Sequence, residues 1–467
     1  MMESSLAVDQ EPTRYPLSFT QEWFIGLDQG DDGGTFGPRF LLVYAIRITG
    51  QVDLAVLRGA LDDVVARHEL LRTLVVRDAD PPYQRVFPPC RVPLEIRDLA
   101  PVTGESRDAV VQKLIIQAQL GSISAREVPL IKALLGRFDD QDSALFLTVH
   151  HSVSDALSMQ IILRDLGAFY AARRTGTAAE LPPMKQYREY AQWQRASAAS
   201  TADDGAPSYW QHKLDGGREF EIPNDHGHPE RYSRPYSGHG YVFGPELAAP
   251  ASDFATATRS TLFTVTLSAF YVLAYTLTGD TDLAIRAFTA GGRTEFEFQN
   301  TMGLFLNCVP FRTDIAACTS FRDIVMATRE TFIDAIASEL PVNVIEQTFP
   351  DFIKPRENLR TSQFILSDTP SASGDDPIFP IADGACGVSA GQSQEEESDI
   401  PSGVVWHLGL GSDKLLGHIQ FNLDEFDENT VAGWVAGLRR ILAGGISEPD
   451  QDWRLLAGPA SARENRD

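Results

Sequence analysis

Positive charge is scarce in this chain: 40 Lys and Arg stand against 64 Asp and Glu, a formal charge of −24. A surface of that sign repels phosphate backbones and anionic headgroups, so neither nucleic acid nor a membrane is expected as a partner. Cysteine is scarcer still. Cys90, Cys308, Cys318 and Cys386 stand singly, with no C-x-x-C pair and no Cys/His cluster at metal-ligand spacing. They read as reduced thiols, and no metal is expected. No apolar run approaches the roughly 18 residues of a membrane span. Met1–Arg14 is polar and acidic, without the basic and apolar regions of a signal peptide. A soluble, cytoplasmic protein is expected. Glycine-rich phosphate loops, H-E-x-x-H and the G-x-S-x-G elbow are missing too. That excludes the common nucleotide folds, zinc-peptidase chemistry and a serine nucleophile of hydrolase type. No bound cofactor is expected.

What is present is a long chain of ordinary globular composition. Its 467 residues exceed the roughly 250–300 that one core usually serves, so two domains are expected. In the first half, Phe40–Thr49 is rich in β-formers, and Asp53 caps a helical pattern running to Glu69. Arg107–Leu120 is helical by spacing. Leu130–Phe138 and Ala144–Val149 are strand-length apolar runs, followed by an amphipathic helix over Leu157–Ala172. Residues 196–250 turn dense in Gly, Pro, His, Ser and charge, and read as a junction between lobes at 1–195 and 251–467. The second half begins with a helix over Leu262–Leu277. Strands are expected at Leu283–Phe288, Thr361–Ser367, Val404–Leu410 and Leu416–Asn422, and a last helix at Glu428–Leu442. Residues 371–402 read as a loop. The order of elements suggests two related α/β lobes of the mixed α+β kind.

Nine histidines are spread through the sequence, yet two are adjacent and followed by an aspartate: Leu145–Ser158 reads LFLTVHHSVSDALS. A strand ends at His150 and His151, a short polar turn follows, and Asp155 opens a helix. Neighbouring strand side chains point to opposite faces, so one histidine is expected to face a cleft and the other to be structural. A neutral imidazole can accept a proton from an attacking amine or hydroxyl, or hydrogen-bond a developing oxyanion. Asp155 could orient an imidazole or fix the turn through an arginine, and it is also a good helix cap.

These residues resemble the H-H-x-x-x-D-G signature of the condensation domains of nonribosomal peptide synthetases. The resemblance extends along the chain in order. Ser18–Trp23 (SFTQEW) is similar to that family's opening motif and Arg67–Thr73 (RHELLRT) to its second. Gln186–Arg195 (QYREYAQWQR) with Tyr209-Trp210, Gly292–Glu297 (GRTEFE), Met302–Arg312 (MGLFLNCVPFR) and Gly417–Asp427 (GHIQFNLDEFD) match later ones. Ala156 departs from the signature glycine, and its methyl group could narrow a substrate channel. Leu340–Asn343 and Arg356–Asn358 match their motifs poorly.

The resemblance implies two chloramphenicol-acetyltransferase-like lobes in a V-shaped pseudo-dimer with a central tunnel. It implies that His151 works in that tunnel, that His150 is structural, and that Asp155 pairs with an arginine, Arg72 or Arg293. Asn307, Ala156 and Ser158 are expected near the tunnel, and Trp193 in lobe packing. The implied reaction moves an acyl or aminoacyl group from the phosphopantetheine arm of a carrier protein to a small amine or alcohol, giving an amide or an ester in natural-product biosynthesis such as that of siderophores or enediynes. With one such unit and no adenylation or carrier region, a free-standing, monomeric enzyme serving a separate acyl or peptidyl carrier protein is expected. Two alternatives stay open: an acyl-CoA- or polyketide-linked alcohol acyltransferase of the same superfamily, and an inactive recruitment module.

Overall fold

The computed structural model describes residues 14–99, 106–200, 205–229, 236–353, 361–368, 403–410 and 414–457. The expected loop at 371–402, Cys386 and the poor motif match at 356–358 lie outside them.

The first lobe carries β1 (Arg14–Tyr15), β2 (Leu41–Thr49), β3 (Thr73–Val76), β4 (Tyr83–Val86), β5 (Leu94–Asp98), β6 (Ile131–Asp139) and β7 (Asp142–His150). Its main sheet has the order β2-β7-β6-β5, and β1-β4-β3 form a small second sheet. β7 is central and antiparallel to both neighbours. Leu145, Leu147 and Val149 point to a core shared with the helices Leu54–Arg67 and Ala156–Thr175. Ala144 and Phe146 point the other way, against Val111, Leu114 and Ile115 of the helix Arg107–Gln119. Helices on both faces explain why the strand reads as a continuous apolar run instead of an alternation. Asp53 caps its helix as expected, accepting from the N–H groups of Ala55 and Val56 at 2.9 and 3.0 Å. That helix ends at Arg67, short of Glu69, and passes into a 3-10 turn over Glu69–Arg72.

The second lobe carries β8 (Glu221–Pro223), β9 (Tyr236–Phe243), β10 (Asp282–Thr289), β11 (Asn307–Asp314), β12 (Thr361–Asp368), β13 (Val404–Leu410) and β14 (Leu415–Asn422). The sheet order is β11-β10-β12-β13-β14-β9, with β8 paired to β12. One face packs under the helices Leu262–Thr278, Phe321–Ala337 and Glu428–Ser447. No single helix among the described residues is long and apolar enough to cross a membrane.

Two features depart from a division of the chain into halves. The stretch 196–250 contains the helix Ala206–Leu214, β8 and β9. Trp210 is fully buried in the second core and donates its indole N–H to the Ser338 carbonyl at 2.6 Å. Conversely, Phe298, Met302, Leu304 and Phe305 cross over and pack in the first core. The crossing segment needs two glycines. A Cβ on Gly303 would stand 2.1 Å from the Tyr187 ring, and one on Gly292 2.4 Å from the Tyr190 ring. Three of the motif segments meet here: the Tyr187 hydroxyl donates to the Leu304 carbonyl at 2.7 Å, and Thr20 to that of Leu306 at 2.7 Å. Trp193 packs beside them, 5.4 Å from the Phe298 ring, as a lobe-packing residue.

Candidate active site

β7 delivers His150 and His151 to its end, and a 3-10 turn over His151–Val153 leads into the helix that Asp155 caps. The two imidazoles part company there. His150 is fully buried. Its Nε2 lies 3.0 Å from the Gly37 carbonyl, to which it donates, and its Nδ1 accepts from the Ser152 amide at 3.2 Å and from the Ser152 hydroxyl at 2.8 Å. Burial pulls it down to about 4, so it stays neutral and holds the turn.

His151 is half-buried. Its Nδ1 lies 2.8 Å from the Ser154 carbonyl, a partner that can only accept, so Nδ1 carries the proton. Nε2 therefore presents a lone pair. The ring stacks on Phe40, with centroids 4.6 Å apart and planes at 12°. Its own N–H donates to the Phe40 carbonyl at 2.8 Å. Burial lowers its basicity below the ordinary histidine value, while hydrogen bonding and the Asp155 carboxylate act in the opposite sense. An imidazole fixed in one tautomer and kept neutral can take a proton from a nucleophile as it attacks.

Asp155 does not touch either ring through a hydrogen bond. It accepts from the Ser158 N–H at 2.7 Å, from the Phe305 N–H at 3.1 Å, and with both oxygens from Nη2 of Arg293 at 2.9 Å. Arg293 is almost fully buried, reaches the Thr301 carbonyl at 2.7 Å and lies 4.1 Å over the Phe305 ring. The turn that carries His151 is thus clamped to the crossing segment of the chain's second half.

Arg293 resolves the choice between the two candidate arginines, and Arg72 drops out. The guanidinium of Arg72 is spent on the carbonyls of Val65 at 3.1 Å, Ala66 at 3.3 Å and Phe87. Leftover carbonyls at a helix end attract a cation, and Arg72 supplies it. Ser158, expected near substrate, is wholly buried; its hydroxyl donates to the Gly303 carbonyl at 2.7 Å and accepts from the Gly303 N–H at 2.9 Å. Asn307 is also internal. It donates to Glu339 at 2.8 Å and to the Leu340 carbonyl at 2.9 Å, and accepts from the Val342 N–H at 2.8 Å. Ala156 begins the helix, half-buried, and its carbonyl receives the Tyr44 hydroxyl at a long 3.5 Å.

Sequence reading missed Phe40, Ser154 and two histidines from the other lobe. His407 of β13 and His418 of β14 stack with centroids 4.2 Å apart. His407 is close enough to His151 that charge on one opposes protonation of the other. His407 lies between the core residues Trp406 and Leu408, and His418 precedes the core residue Ile419, so both sit off the core face.

The Condensation domain family profile matches residues 11–464. Among curated proteins, phosphinothricin tripeptide synthetase PhsC of Streptomyces viridochromogenes is 28% identical over 96% of this chain and 40% of its own length. The dimodular nonribosomal peptide synthase of Bacillus subtilis is 27% identical over 95% of this chain and 18% of its own. The chain thus spans well under half the length of these relatives. Among solved structures, SgcC5 of Streptomyces globisporus, in complex with (R)-(-)-1-(2-naphthyl)-1,2-ethanediol and sucrose, is 32% identical, covers 94% of this chain and 100% of its own, and superposes with a TM-score of 0.82. The first condensation domain of the CDA synthetase, at 18% identity over 94% of this chain and 98% of its own, shares the fold with a TM-score of 0.73. These neighbours have the two-lobe, chloramphenicol-acetyltransferase-like architecture. With the strand-turn-helix geometry of the histidine site, this match over nearly the whole length places the chain in the condensation-domain family.

Proposed function

We propose that this protein forms an ester or amide by passing an acyl or aminoacyl group from a carrier-protein thioester to a small hydroxyl or amine acceptor, with His151 as the working group. The single observation that carries this reading is the state of His151. Its Nδ1–H is committed to the Ser154 carbonyl, its ring is pinned on Phe40, and no described residue takes its Nε2. That nitrogen accepts the acceptor's proton as the nucleophile attacks the thioester carbonyl, and returns it to the departing thiolate. The bond formed is C–O or C–N, the bond broken is C–S, and no oxidant or covalent enzyme intermediate is needed. His150 and Asp155 hold the turn.

A hydroxyl acceptor is favoured by the likeness to SgcC5, a 32% identical protein bound to an aryl ethanediol. The carrier-bound donor is favoured by the peptide synthetases among the relatives. On this reading the substrate channel runs between the lobes, the chain needs no cofactor of its own, and its protein partner is an acyl or peptidyl carrier protein. The test offers the same acyl group as a carrier-protein thioester and as a CoA thioester, with a panel of aryl ethanediols and amines. Product from the carrier-bound donor is the expected result. Equal turnover from acyl-CoA would favour a CoA-linked acyltransferase instead.

A further inference from the structure

The sheet of the second lobe turns one face to its own core and the other away from it. Trp406 and Leu408 of β13, and Ile419 and Phe421 of β14, point into the core. His407, His418 and Gln420 therefore point out of it. Register places Phe288, Ser367, His407, His418 and Gly240 in one row across β10, β12, β13, β14 and β9. At one end of this row Phe288 meets Trp23 of the first lobe edge-on, ring centres 6.5 Å apart. This is accordingly the face opposed to the first lobe. At the other end β9 contributes no side chain at Gly240, nor at Gly238 opposite Gln420.

The middle of the row is an imidazole pair. The rings of His407 and His418 lie at 10° to each other, 4.2 Å apart. His407 donates from Nε2 to the Gln420 amide oxygen at 3.2 Å. Nε2 of His418 is buried and has no hydrogen-bond partner among the described residues. Burial holds both rings neutral, His407 down to about 4 and His418 to about 2, with His407 adding to the effect on His418. A desolvated imidazole nitrogen without a partner is costly, and a ligand group that completes its hydrogen bond is favoured accordingly. Neutral imidazole offers one donor and one acceptor nitrogen, and a hydroxyl, itself both donor and acceptor, suits either tautomer at His418 Nε2.

We propose that the His407–His418 pair is a specificity subsite that hydrogen-bonds a neutral hydroxyl of the substrate, distinct from the group that reacts at His151. The inference rests on the acyl-transfer reading for the site it serves. It makes a vicinal diol a better ligand than either mono-alcohol obtained by deleting one hydroxyl. The gap is expected to be about tenfold, the size of one buried hydrogen bond.

The experiment titrates the full chain with phenyl ethanediol and with the two phenylethanols that each lack one hydroxyl, following binding by ligand-observed NMR. Wild type should prefer the diol about tenfold, His418→Phe should reduce the preference below about twofold, and His418→Gln, which keeps a polar group near the Nε2 position, should retain most of it. Equal binding of all three ligands to wild type would overturn the subsite, as would an unchanged preference in folded His418→Phe. A readout without mutation covers the case where the Phe variant does not fold: in protein labelled with ¹⁵N-histidine, the Nε2 resonance of His418 should move on adding the diol, and a resonance that stays put at saturation overturns the proposal. Failure of the acyl-transfer reading looks different. It abolishes product from every donor while the diol preference in binding persists.

Discussion

Asp155 and Arg293 are 138 residues apart in sequence, and one guanidinium nitrogen stands 2.9 Å from both oxygens of the carboxylate. The pair is nearly closed to solvent, with side-chain exposures of 17% and 4%. Removing one partner from such a pair leaves an uncompensated charge. Arg293→Ala is expected to cost about 3 kcal/mol, read from the denaturant midpoint. Asp155→Asn combined with Arg293→Ala should cost less than the sum of the two single changes, because the second removes a partner already lost. Additive costs would mean the clamp is not a unit.

The pH profile of transfer should reflect the depressed basicity of His151. Burial favours its neutral form, so the acid limb of kcat/KM is expected below the ordinary histidine value of about 6.5. The Asp155 carboxylate raises that basicity, so Asp155→Asn should move the limb to still lower pH. Movement to higher pH would contradict the assignment of the limb to His151.

Stability should show its own acid dependence through His150. Its folded value is about 4, and an unfolded histidine titrates near 6.5. Between these values the unfolded chain binds the extra proton, so stability is full above about pH 6.5 and declines as pH falls toward 4. His407, also held down to about 4, adds to the same slope. Each group contributes on the order of 3 kcal/mol across the window. Unfolding midpoints measured from pH 7 to pH 4 should fall steadily, and His150→Ala should flatten the fall while lowering stability at pH 7. A wild-type midpoint flat over that range would contradict the buried neutral state.

Gly303→Ala places a methyl group 2.1 Å from the Tyr187 ring, where the hydroxyl of that tyrosine already holds the crossing segment. Overpacking of this kind costs about 1–3 kcal/mol. The expected result is a lower unfolding midpoint together with weakened transfer, since the Gly303 backbone also braces Ser158 beside the Asp155 clamp. Gly433→Ala, where a Cβ meets nothing within 4 Å, serves as the control and should leave the midpoint unchanged or slightly raised.

Much of this was legible in the residues, and what escaped has identifiable causes. Strand periodicity and Asp53 locate β2 and the helix after it, and the alternation of strand faces separates the environments of His150 and His151 without saying which one faces a cleft. Arg72 and Arg293 could not be told apart, because the pairing joins residues distant in sequence and both arginines are buried. The family resemblance places Ser158 and Asn307 near substrate. Their side chains instead satisfy backbone groups of Gly303, Leu340 and Val342, a use that leaves no trace in composition. The stretch 196–250 read as a junction because β9 is rich in glycine, and those glycines lie on the face opposed to the first lobe. His407 and His418 became visible only when the core face of their strands was known.

The most direct test of the central claim is single-turnover transfer by His151→Ala against wild type, using one competent carrier-bound donor and one acceptor. His151 is half-buried and its ring makes one hydrogen bond, so the variant should keep its fold by circular dichroism. The rate is expected to fall by about 10²–10⁴, the range of a lost general base. A folded variant that transfers at the wild-type rate would contradict the account.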